Sequence, residues 1–224
     1  MRLITQFKFL LALILPILTF LLVLKLIAFD SQFYQKKFAE YGVEKDIHSA
    51  SELHIKVISF ITGKSNKLPD EFNEREIRHL VDVRRLLKLS TIVIYCLGAI
   101  FLIVLLTFSL ILKDRNLIAN FIGKVLIFGG LLTLIIASIL ILFITSDFSA
   151  IFDRFHNLLF EKGTYIFDPA KELIVNLYPQ QLFLDLGIKI SKVIILISLI
   201  LILLGSFLLK YFKAKEIKRE ANKS

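Results

Sequence analysis

Four apolar runs, residues 9–29, 89–112, 125–144 and 193–209, constrain this chain more than any other feature of it. Each supplies about the 17–25 residues that a hydrocarbon core of ~30 Å demands. Leu, Ile and Phe fill them without the alternation of strands, so helices are expected, which satisfy their own backbone hydrogen bonds in lipid. With 56% hydrophobic residues and a mean hydropathy of +0.75 over 224 residues, an ordinary soluble domain is excluded. The expected fold class is an all-α membrane protein. One membrane domain is predicted, with transmembrane helices at about 9–29, 86–112, 122–144 and 188–209. Two long loops, 30–85 and 145–187, would form an extracytoplasmic helical cap, and 210–224 a cytoplasmic tail.

The net charge of +9 would suggest nucleic acid in a soluble protein, but its distribution points to membrane topology instead. Residues 1–8, 113–124 and 210–224 together hold eleven Lys/Arg against three Asp/Glu. Residues 145–187 hold three against six, and 30–85 ten of each. Positive charge concentrates on short cytoplasmic flanks, so both termini are expected inside and both long loops outside. The first run has about 20 residues, against roughly 7–15 for a signal-peptide core, and no small-x-small cleavage site follows, so it is read as an uncleaved helix. Pro16 should kink it, and Lys25 can reach the outer interface. Cys96, the sole cysteine, lies within the second run, so no intrachain disulfide can form.

Within the first loop, Phe33, Tyr34, Phe38 and Tyr41 recur at near-helical spacing up to a stop at Gly42. Ser49 with Glu52 has capping-box spacing and opens a second amphipathic stretch to Gly63. Asn73 with Glu76 repeats that spacing, predicting a helix that runs unbroken into the second span. His79 would stand on it about 10 Å before the transmembrane helix expected from residue 86, at 1.5 Å per residue. In the second loop, Ser146 is the predicted N-cap of a helix with the apolar stripe Phe148, Ile151, Phe152, Phe155, Leu158 and Leu159, ending near Gly163. Asp168 followed by Pro169 predicts a further helix start. Glycines 123, 129 and 130 in the third run allow helices to approach closely.

Two histidines stand out, His79 and His156, each one turn from an acid, Asp82 and Asp153, and near basic or aromatic residues. Histidine titrates near neutrality, so a pair can remove one proton and deliver another within a single reaction. His48 and His54 lack such surroundings and are read as surface residues. No H-E-x-x-H, clustered Cys/His or dense carboxylate set indicates a metal, so no metal or cofactor is expected. G-x-S-x-G and S-x-x-K are absent too, so the nucleophile of any reaction should arrive with the substrate. Mid-span charges are missing, which disfavours an ion or proton transporter.

The segments Phe155-His156-Asn157-Leu158-Leu159-Phe160, Gly163-Thr164-Tyr165-Ile166-Phe167-Asp168-Pro169, Leu177-Tyr178-Pro179 and Arg78-His79-Leu80-Val81-Asp82-Val83-Arg84 resemble a family of small four-helix membrane proteins. This is the family that includes the bacterial lipoprotein intramolecular transacylase. The resemblance implies an enzyme that moves the sn-2 acyl chain of a diacylglyceryl-cysteine lipoprotein onto that lipoprotein's own N-terminal amine. It also implies that His79 and His156 are the catalytic pair. Asp82, Asp153, Arg78 and Arg84 are candidate supporting residues, and Phe152, Phe155, Phe160, Tyr165 and Phe167 a candidate substrate pocket. Partners would be the lipid bilayer and the diacylglyceryl lipoprotein, with no nucleic acid, and a monomer is favoured. The chain departs from the family pattern in lacking tryptophan, with Tyr165 where Trp is expected, and in having Gln180 where an acid is expected. The competing reading is a non-enzymatic four-helix scaffold or lipid-binding accessory protein. The third is a metal-dependent hydrolase. Convergence of the two imidazoles separates enzyme from scaffold.

Overall fold

A computed structural model describes residues 2–161 and 164–221, with side chains over 3–161 and 164–215. Among the described residues the chain is helical without strands. In order the helices are α1 (Arg2–Ile27), α2 (Ser31–Glu40), α3 (Val43–Asp46), α4 (Ala50–Ile61), α5 (Glu74–Leu112), α6 (Arg115–Ser146), α7 (Phe148–Leu159), α8 (Leu173–Leu177) and α9 (Gln180–Ala221). Four of them, α1, α5, α6 and α9, are long and apolar enough to cross a membrane. Side chains such as Leu102, Ile103, Leu106 and Leu110 on α5 stand exposed. In water that surface would be prohibitive, but against lipid tails it is the expected one.

The chain divides into two compact units. One gathers the chain up to Leu24, Val93–Leu140 and the chain from Ile190 onward. Small residues set its packing. A Cβ on Gly123 would lie 2.8 Å from Leu209, one on Gly205 would lie 2.6 Å from the Gly123 carbonyl, and one on Gly130 would lie 3.1 Å from the Ser198 carbonyl. Thus α6 and α9 meet backbone to backbone, the arrangement that rewards small residues where lipid is as apolar as leucine. Gly129 likewise lies against Leu15 and the Ala12 carbonyl. That carbonyl lies four residues before Pro16, whose missing N–H leaves it without its helical donor. Leu11, Phe108, Phe121 and Val125 complete the packing, with the rings of Phe108 and Phe121 stacked at 5.2 Å.

The other unit, Lys25–Ile92 with Ile141–Lys189, joins the two inter-span segments around a core that includes Phe38, Leu53, Val57, Leu80, Leu177 and Leu182. Local signals account for most of its helix ends. Asp30 caps α2 through the Phe33 N–H. Gly42 and Gly63, at φ of +72° and +82°, terminate α2 and α4 in the left-handed region that glycine enters without strain. Asn73 and Glu76 form a reciprocal capping box: the Arg75 and Glu76 N–H groups donate to Asn73 Oδ1 at 2.8 and 3.1 Å, while the Asn73 N–H donates to Glu76 Oε2 at 2.7 Å. Ion pairs from Lys189 to Asp30 and from Lys37 to Asp185 fasten α2 to the start of α9.

Several expectations need correction. Ser49 precedes α4 but its hydroxyl makes no capping bond, and Glu52, the other half of the expected box, pairs with Lys56 at 2.6 Å instead. The N-cap of α7 is Asp147, which accepts from the Ala150 N–H; Ser146 is still the last residue of α6 and bonds back to Leu142. Asp168 and Pro169 form a turn, and α8 begins only at Leu173. The predicted stop of α7 at Gly163 falls outside the described residues; the helix closes at Leu159. His54 is buried at 2% exposure, not superficial. It stacks on Tyr34 at 4.1 Å and shares a 3.0 Å hydrogen bond with the Tyr178 hydroxyl, a partner 124 residues away that no local pattern reveals.

Candidate active site

The capping box starts α5 at Glu74, which fixes the rotation of His79 one turn into a rigid helix. There His79 is buried at 8% exposure. His156 rides on α7, in the same unit of the fold, and its ring centroid lies 6.2 Å from that of His79 with the planes inclined by 24°. The aromatic residues singled out in the sequence surround the two rings. Phe160 lies 4.7 Å from His79 and 5.4 Å from His156, and Phe167 lies 5.4 Å from His79. Phe152, Phe155 and Tyr165 lie 4.1, 5.4 and 5.2 Å from His156. Tyr165 therefore occupies the wall itself.

The supporting residues separate into distinct settings. Asp82 pairs with Arg85 at 3.0 Å rather than with an imidazole. Asp153 is exposed one turn before His156 and acts on it through its charge. Arg78 is exposed and without a hydrogen bond or ion pair among the described residues. Arg84 points into another neighbourhood, donating to the Ser65 carbonyl at 3.2 Å and to Asn66 Oδ1 at 3.0 Å, 5.1 Å from the Phe60 ring centroid. Among the described residues no three His, Cys, Asp or Glu side chains converge as a metal site would require.

What holds the wall in place is a polar network that sequence spacing could not reveal. Arg75 donates to Glu172 Oε1 at 2.8 Å and to the Ile166 carbonyl at 2.7 Å, and lies 5.7 Å from the Phe167 ring. Buried Glu172 also accepts from the Asp168 N–H. Glu76, at 1% exposure, accepts from the Ile174 N–H at 2.6 Å through the oxygen its capping bond leaves over. Every one of these buried carboxylate oxygens is met by a donor, the condition under which a buried charge is tolerated. The segment carrying Tyr165 and Phe167 is thereby tied to the helix carrying His79. The partners are 97 and 98 residues apart, so nothing short of the fold could pair them.

One bond defines the protonation of His156. Its Nδ1 lies 2.7 Å from the Phe152 carbonyl oxygen. A carbonyl can only accept, so Nδ1 carries hydrogen and Nε2 of the neutral ring keeps its lone pair. Burial holds the His156 pKa below the ordinary value of 6.5, against the Phe152 carbonyl and Asp153, which raise it. A neutral ring with a free Nε2 in an aromatic enclosure is equipped to accept a proton near neutral pH. Among the described residues no partner meets the buried His79 Nδ1.

The model of the family described as lipoprotein intramolecular transacylase Lit matches residues 9–183. The chain belongs to this family. Lipoprotein intramolecular transacylases are membrane enzymes, and the four apolar helices make this member a multi-pass membrane protein. Its fold is similar to the in meso structure of the membrane-integral lipoprotein intramolecular transacylase Lit from Bacillus cereus, with a TM-score of 0.84 and 21% identity over 95% of this chain and 99% of that one. Two variants of the Bacillus cereus protein, in which one histidine is replaced by arginine or by alanine, each match with a TM-score of 0.78 at 21% identity, over 96% and 95% of this chain and 95% and 96% of theirs. No curated protein matches the chain.

Proposed function

We propose that this transacylase-family member moves the sn-2 acyl chain of a diacylglyceryl-cysteine lipoprotein to the lipoprotein's own N-terminal amine. His156 acts as base and His79 as acid or oxyanion donor. The observation that carries this reading is the pair of imidazoles, 6.2 Å apart on separate helices within one aromatic enclosure, in a chain whose family is named for intramolecular transacylation of lipoproteins.

The chemistry balances within one molecule. An α-amine of pKa ~8 must be neutral to attack, and the N–H it sheds on bonding to the ester carbonyl passes to His156 Nε2. The carbonyl oxygen becomes an oxyanion until the bond to the sn-2 glyceryl oxygen breaks. That oxygen leaves with the proton now on His156, or with one from His79 that His156 then replaces, so both imidazoles end as they began. The product is an isomer of the substrate. Both groups belong to one substrate, so holding them in reactive geometry can supply ~7–11 kcal/mol of the barrier. The Phe152, Phe155, Phe160, Tyr165 and Phe167 wall would exclude water and favour the amine over hydrolysis. The residues 30–85 and 145–187 would face the cell exterior, where lipidated N-termini emerge.

The test is mass spectrometry of lipoprotein N-termini, with fragmentation because acyl migration leaves the mass unchanged, in a bacterium lacking its usual N-acylation. Wild type should yield lyso-form lipopeptides. His79→Ala and His156→Ala, expressed equally, should each lower turnover by about 10²–10⁴-fold, the usual contribution of a positioned acid or base. If wild type leaves the amine free, this substrate is wrong and the scaffold reading gains.

A further inference from the structure

Away from the histidines, the end of α1, the end of α4 and the stretch of α5 from Arg84 to Thr91 line a half-open cavity of about 450 Å³. Its lining includes Lys25, Arg84 and Lys88, the apolar side chains of Phe29 and Leu87, and Thr91, and no carboxylate. Three cations facing one concavity repel each other and raise its potential, and concave, low-dielectric walls concentrate that field. Their surroundings relieve it only in part. Arg84 is held by Ser65 and Asn66 beside the C-terminal end of α4, whose partial negative charge offsets some of its own. Lys25 donates to Thr91 Oγ1 at 3.2 Å, which sets its ammonium beside the α5 wall of the cavity. Lys88 makes no hydrogen bond or ion pair among the described residues.

The place in the sequence narrows the anion. Lys25 lies in the last turns of the first apolar run, and Lys88 immediately precedes the second, so both lie near where apolar chain gives way to polar. Phosphates of a bilayer lie at that boundary, and basic side chains there bind anionic headgroups. Phe29, Ile61 and Leu87 add an apolar side that suits a glycerol backbone and the first carbons of its chains. We propose that this cavity is a phosphate-binding site for a membrane glycerophospholipid, with Lys25 and Lys88 pairing with the phosphodiester and Arg84 as a fixed third cation. The diacylglyceryl-cysteine substrate carries no phosphate, so the occupant is a second lipid, independent of the histidine site.

The experiment titrates a fluorescent phosphatidylglycerol, and separately a fluorescent diacylglycerol with the same chains, into the detergent-solubilised full chain. Phosphatidylglycerol should bind in preference, and Lys25→Gln with Lys88→Gln should weaken it by about tenfold or more, each cation near a charged headgroup being worth roughly one factor of five. Lys25→Arg with Lys88→Arg should retain binding, and salt should weaken the wild type, a readout that stands even if the Gln variant misfolds. Competition by millimolar inorganic phosphate would support the site and identify a free anion as its ligand; its failure to compete would support it with the lipid as the source. Equal binding of both lipids with no salt dependence, or a well-folded Gln variant that binds like wild type, would overturn the proposal.

Discussion

His156 shows how a single local bond prepares a general base. Its Nδ1 is committed to the Phe152 carbonyl of its own helix, so the lone pair on Nε2 does not depend on a carboxylate partner. Asp153 acts only through its charge, raising a pKa that burial lowers. Removing that charge in Asp153→Asn should therefore move the acid limb of the activity profile to lower pH, with little change in the maximum; a limb moving upward would contradict this account. His54 obeys the same electrostatics for a structural end. Burial pushes its pKa down to about 4 from 6.5. The unfolded chain then takes up the proton first as pH falls, so the stability contributed by neutral His54 is complete above pH 6.5 and is lost progressively towards pH 4. The full effect is at most roughly 3 kcal/mol, at 1.36 kcal/mol per pKa unit. Thermal unfolding of wild type should weaken between pH 7 and 5, and that slope should flatten in His54→Phe, whose ring suits the Tyr34 stack without a proton to gain.

At the level of elements, α5 carries the site because its start is specified by neighbours in sequence. Asn73 and Glu76 were legible as a capping pair since both partners lie within one turn. The second task of Glu76, receiving the Ile174 N–H, was not legible, because its partner arrives from the opposite end of the chain. For the same reason no local pattern marks Arg75 as the tie that holds the Phe167 wall, or His54 as buried rather than superficial. Local signals overreach at Ser49, whose expected partner Glu52 pairs with Lys56, and at Ser146, which bonds back to Leu142 while the better-placed Asp147 caps α7. Glu76→Ala should leave two N–H groups unmet, each costing about 1–3 kcal/mol when buried. The midpoint of unfolding in detergent should fall by several degrees, at about 2–4 °C per kcal/mol. Glu76→Gln, keeping an acceptor oxygen, should fall less.

For the whole molecule, the four apolar runs were readable from length and composition alone, because the bilayer demands them whatever the loops do. Which residues of the loops meet was readable only as far as the resemblance carried it, in the histidine motifs. The side of the membrane on which they lie is expected from charge bias, and single cysteines in a Cys96→Ser background test it. Lys45→Cys and Lys171→Cys should react with an impermeant maleimide in intact cells, and Lys213→Cys only after permeabilisation; the reverse pattern would invert the topology. The lone cysteine carries one more consequence when set beside the Arg75, Glu172 and Glu76 network. Segments that secreted folds of similar complexity often staple covalently are closed here by reversible contacts alone. Closing this part of the fold therefore asks nothing of a thiol-oxidising apparatus.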